Sequence, residues 1–71
     1  MQSPDHTMEP DGEDCFVVRV DGDLAGYVTQ DPARPGLWIA EDQKRRFLDR
    51  VYQPEKAATF LAAWFIAGDE A

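Results

Sequence analysis

The tripeptide Asp21-Gly22-Asp23, set between two apolar runs, constrains the fold of this chain more than any other feature. Asp-Gly is favoured where consecutive turn residues need φ > 0, which is the geometry of a two-residue β-hairpin loop. On its N-terminal side Phe16, Val18 and Val20 alternate with Val17 and Arg19 in a β-branched run that starts at Cys15. On its C-terminal side Leu24 to Thr29 reads as the return strand, and Gly26 within it marks a bulge or a close packing contact. An antiparallel hairpin over residues 15–29 is therefore the unit around which the rest must be arranged.

Gln30 to Gly36 (QDPARPG) is a loop, because its two prolines cannot serve in a central ladder. Leu37 to Glu41 reads as a third strand, with Trp38 on the face opposite Leu37 and Ile39. Between Asp42 and Tyr52 the residues Phe47, Leu48, Val51 and Tyr52 fit a helix, while Phe47, Asp49 and Val51 alternate as a strand. A turn at 42–45 and a strand at 46–52 is the preferred reading. Gln53-Pro54-Glu55 then opens a helix, with proline at the first helical position and an acid at the positive end of the dipole. Ala57, Phe60, Leu61, Trp64 and Phe65 form its apolar stripe, and Gly68 is expected to end it as a left-handed cap. The fold class is α+β: a small antiparallel sheet of three to four strands with one C-terminal helix packed on one face. Residues 15–71 form the single compact domain, preceded at 1–14 by a polar, acidic, flexible tail.

At 71 residues the core is small, and all eight aromatic residues lie beyond position 15. A net stability of only about 3–5 kcal/mol is expected for such a core. The single cysteine, Cys15, excludes an internal disulfide and a cysteine-rich metal site. The acidic N-terminal residues do not read as a secretion signal, and the longest apolar run, Phe60 to Ala67, is too short to span a bilayer. A soluble, cytoplasmic protein with no membrane contact is the expectation.

No residue pattern suggests an enzyme. The one histidine, His6, lies in the acidic tail, and Ser3, Thr7, Thr29 and Thr59 have no neighbouring base and no nucleophile-elbow context. Glycine-rich phosphate cradles are absent. A calcium loop starting at Asp21 places Asp23 and Gly26 correctly, but puts Ala25 and Pro32 where ligands are required. The expectation is no catalytic residue, no cofactor and no metal. Lys44, Arg45, Arg46 and Arg50 form the basic cluster, but Glu41, Asp42 and Asp49 bracket it, so it reads as a salt-bridging edge and not as a nucleic-acid site.

The charge distribution carries the functional expectation. Residues 1–31 hold eight carboxylates against Arg19 alone, whereas residues 32–71 hold six acids and six bases, so the net charge of −7 comes entirely from the front. Such a field attracts basic surfaces and repels nucleic acid. In extended chain, residues i and i+2 lie about 6.6–6.8 Å apart on one side. Glu9, Asp11 and Glu13 keep that spacing, as do Asp21 and Asp23 across the turn. The step resembles that between phosphates on a nucleic-acid strand. Glu9, Asp11, Glu13, Asp14, Asp21, Asp23 and Asp31 are therefore candidate contacts to a protein partner that has a basic nucleic-acid-binding surface. Trp38 is a further candidate, either packed under the helix or exposed as an interface anchor.

The segment LWIAEDQKRRFLDRVYQPEKAATFLAAW, a tryptophan strand followed by an aromatic strand and a Pro-Glu-started helix, resembles many small ββ-and-helix proteins of bacteriophages and mobile elements. The whole chain is similar in character to phage-encoded anti-CRISPR proteins, which are short, acidic and without a catalytic set. That resemblance implies an inhibitor that presents carboxylates to the DNA- or RNA-binding groove of a CRISPR effector complex in the host cytoplasm. The alternative is an interaction or assembly module, antitoxin-like or an oligomeric phage accessory protein, that binds through its apolar face. Homo-oligomer formation is compatible with either.

Overall fold

Two consecutive residues of the Asp-Gly turn do adopt positive φ, Asp21 at 53° and Gly22 at 83°. That is the backbone of a tight primed turn, whose twist matches the strands on either side. In this computed structural model, which describes residues 6–70, with side chains to Gly68, the turn joins β2 (Cys15–Val20) to β3 (Asp23–Gln30). Three further strands complete an antiparallel meander in the order β1-β2-β3-β4-β5, namely β1 (Thr7–Pro10), β4 (Trp38–Glu41) and β5 (Phe47–Val51). The helix α1 (Pro54–Glu70) packs across one face. The architecture is the expected α+β domain, with five strands in place of three or four.

Two departures from the sequence reading concern boundaries. Within the segment expected as a flexible tail, Thr7–Pro10 forms β1 and pairs with β2 in the register Thr7↔Arg19 to Pro10↔Phe16; residues 1–5 lie outside the described residues. The bond from Asp11 N–H to the Cys15 carbonyl continues that register, so Thr7 and Glu9 face β2 and Pro10 faces outward. The missing N–H of Pro10 thus falls on the solvent edge, where a ladder loses nothing. At the other end, Gly68 does not cap the helix. Its φ is not positive, and α1 continues through it to Glu70.

Gly26 proves to be both a bulge neighbour and a close contact. The β2–β3 register shifts between Val18 and Arg19, leaving Ala25 as the extra residue, fully buried. A Cβ on Gly26 would strike the Glu41 carbonyl oxygen and lie 2.9 Å from Leu61 Cδ2. Glycine thus lets β3 approach both β4 and α1. The core gathers on this face: Val18, Val20, Ala25, Val28 and Ala40 from the sheet meet Ala57, Ala58, Leu61 and Ala62 from the helix. Alanines on the inner side of α1 let it sit close to the strands, and Phe16, Trp38, Leu48, Val51, Phe60 and Phe65 seal the margin.

Candidate protein-binding surface

Each exposed carboxylate of the front half is placed by a strand end. Glu9 lies in edge strand β1, on the sheet face away from α1, where its Oε1 is 3.9 Å from Arg19 Nε. Asp11, Glu13 and Asp14 belong to the β1–β2 turn, which bends at Gly12 with φ 89°. Asp21 and Asp23 belong to the hairpin at the opposite end of β2. All six are exposed, and among the described residues only Glu9 forms an ion pair. The turn at Gly12 breaks the straight i, i+2 row expected for Glu9, Asp11 and Glu13. What results is two acidic clusters separated by the length of β2, about 20 Å for a strand of this length, on the β1–β2 side of the sheet.

Asp31 does not belong to this surface. It is 6% exposed; its Oδ1 accepts the Ala33 N–H at 2.9 Å and its Oδ2 accepts the Arg50 Nε–H at 2.8 Å. As first residue of the loop after β3, its carboxylate closes the turn on itself and ties β5 to that loop. The Ala33 N–H, reinforced by Arg50, holds its carboxyl below the usual carboxylate range. Trp38 likewise separates from the acids. It is half-buried on the helix-facing side, with its ring 5.7 Å from that of Phe16.

Sequence reasoning missed Asp42, which does at one end of the sheet what Asp31 does at the other. Its Oδ1 accepts the backbone N–H groups of Lys44 and Arg46 at 2.8 and 2.9 Å, and its Oδ2 accepts Arg46 Nε–H at 2.8 Å. The Arg46 N–H above all depresses its pKa. The available signal was positional: each of these aspartates opens a loop directly after a strand.

The three arginines of the basic cluster are each paired within the fold, whereas Lys44 is exposed and in no ion pair among the described residues. Arg46 pairs with Asp42, Arg50 with Asp31, and Arg45 lies 3.8 Å from Glu41 Oε1. Arg45, held at φ 66°, also stacks its guanidinium 3.8 Å from the centre of the Tyr27 ring. Cys15 lies beside it, with Arg45 Nη1 at 4.0 Å from Sγ; burial nonetheless pushes the thiol up, away from the reactive thiolate. Among the described residues no group of His, Cys, Asp or Glu could hold a metal ion, and no helix is long and apolar enough to cross a membrane. Comparison with known proteins finds no matching family model, no matching curated protein and no matching solved structure.

Proposed function

We propose that this protein works by binding: the carboxylates on the β1–β2 side dock onto a basic, nucleic-acid-binding surface of a protein partner and block it. The observation that carries the reading is the asymmetry of pairing. Asp11, Glu13, Asp14, Asp21 and Asp23 are exposed and in no ion pair among the described residues, whereas Arg45, Arg46 and Arg50 are each matched to an acid inside the fold and the bases outside any ion pair, Arg34, Lys44 and Lys56, all lie in the second half of the chain. The excess charge is thus concentrated where a partner can reach it. Two turns joined by one strand of the sheet present it. The resemblance to anti-CRISPR proteins names a CRISPR effector complex as the kind of partner, and the host cytoplasm as the place. Charge-led docking of this kind is fast and salt-sensitive. Reversing Asp21 and Asp23 to Lys, and separately Asp11, Glu13 and Asp14 to Lys, tests it. Each set should abolish retention of the partner at low salt, and unchanged retention with both sets reversed refutes the proposal.

A further inference from the structure

An open antiparallel sheet has two edges, and this one treats them differently. At β5 the Arg50 N–H is already taken up by Asp49 Oδ1 at 2.8 Å, so that edge is blunted by its own side chain. At β1, Thr7 and Glu9 bond to β2, which directs the Met8 N–H, the Met8 carbonyl and the Pro10 carbonyl outward. These three groups have no hydrogen-bond partner among the described residues. The helix packs against the other four strands. Acids bracket this edge: Asp11, Glu13 and Asp14 follow β1 directly, and Asp21 borders one cleft with His6 and Thr7 at its start.

We propose that an extended basic segment of a protein partner adds to β1 as a sixth strand, an inference that rests on the docking reading above and gives its partner a form. Outward backbone groups supply the pairing, and side chains on alternate faces supply the selection. Met8 is half-buried and packs against the core, so the residue opposite it is apolar. Glu9 lies on the other face, and its Oε1 is 3.9 Å from Arg19 Nε, too long for a hydrogen bond, so it accepts a Lys or Arg of the added strand. Further basic residues at the two ends reach the acidic turns, since the first and last residues of an extended heptapeptide lie about 20 Å apart. A second copy is the wrong occupant. Antiparallel pairing of two β1 strands brings Asp11, Glu13 and Asp14 of one copy toward Asp21 and Asp23 of the other, like charge against like.

The test titrates a blocked peptide, Lys-Thr-Lys-Val-Lys-Thr-Lys, into the isotopically labelled full chain at about 50 mM salt. The control peptide, Lys-Pro-Lys-Pro-Lys-Pro-Lys, has the same charge and no backbone donor at the pairing positions. The alternating peptide should protect the Met8 amide from hydrogen exchange and bind about 10-fold tighter than the control. Met8→Pro removes the outward donor, and Met8→Ala shortens the same side chain but keeps that donor; Met8→Pro should bind about 5-fold more weakly than Met8→Ala. Equal binding of the two peptides, an unprotected Met8 amide at saturation, or equal affinities of the two variants overturns the edge while leaving charge-led docking in place. Failure of both peptides to bind also overturns it, and docking itself is then judged separately by partner capture with the turn acids reversed. A dimer in sedimentation velocity that Met8→Pro abolishes assigns the edge to a second copy and overturns the proposal.

Discussion

Replacing Gly26 with alanine probes the contact on which the two layers depend. The added methyl group meets the carbonyl oxygen of Glu41 on one side and Leu61 Cδ2, at 2.9 Å, on the other. The first obstacle is backbone in a paired strand, and the second is a side chain with no solvent exposure. Neither can yield without moving β4 or α1. Overpacking of this kind costs about 1–3 kcal/mol, and the rigid carbonyl places the cost toward the upper end. Alanine recovers about 0.4–1 kcal/mol by restricting the unfolded chain where the native backbone suits it, leaving a net loss of about 2 kcal/mol. Against an expected total of about 3–5 kcal/mol, that is near half of the stability. The midpoint of thermal unfolding should fall by about 8–16 °C. Urea unfolding followed by the fluorescence of Trp38 and Trp64 measures it. A variant within about 0.5 kcal/mol of the parent would refute the close approach of β3 to β4 and α1, and with it the packing described here.

Other perturbations separate specific parts of the account. Gly68→Ala should raise stability by up to about 1 kcal/mol, because the residue lies in the helix with open space around it; a loss instead would mean a left-handed cap. Asp31 and Asp42 have depressed native pKa values relative to 3.8 in the unfolded chain. Their contribution is therefore present above pH 4 and is lost as the pH falls through the lower native values. Asp31→Asn and Asp42→Asn should each lower stability at pH 7 and flatten its decline on acidification, as seen in denaturation midpoints between pH 7 and pH 2. Asp21→Asn with Asp23→Lys should leave the urea midpoint nearly unchanged, since both side chains are exposed and Asn tolerates the φ of 53° at position 21, so any binding lost in that pair reports on the surface alone.

The hairpin, the bulge at Gly26 and the start of α1 were legible because each rests on local chemistry: an Asp-Gly pair, a glycine within a β-branched run, a proline at the first helical position. β5 was only half legible: residues 42–52 fit a helix as well as a strand in spacing, and the turn that favours the strand is held by the Asp42 side chain, whose role the sequence did not reveal. β1 was not, because Thr-Met-Glu-Pro has weak strand propensity and forms only by adding to the free edge of β2. The end of α1 was misjudged for a related reason: glycine is a preferred cap, but it is also tolerated within a helix that packing holds in place. Asp31 shows the limit most clearly. Its charge was visible, but the Arg50 that neutralises it lies 19 residues away, and only the fold brings the two together. The acids of the turns stay exposed, and none of them is in an ion pair among the described residues. For them, sequence segregation and spatial segregation coincide.

The central claim is that the exposed carboxylates at the two ends of β2 dock onto a basic nucleic-acid-binding partner. Its most direct test is capture of partners from host lysate at about 50 mM and about 500 mM salt, identified by mass spectrometry. The parent chain is compared with the chain carrying Asp11, Glu13, Asp14, Asp21 and Asp23 all reversed to Lys. A nucleic-acid-binding complex held by the parent at low salt, released at high salt and never held by the reversed chain is the predicted result. Capture that survives high salt, or that the reversed chain retains, contradicts it.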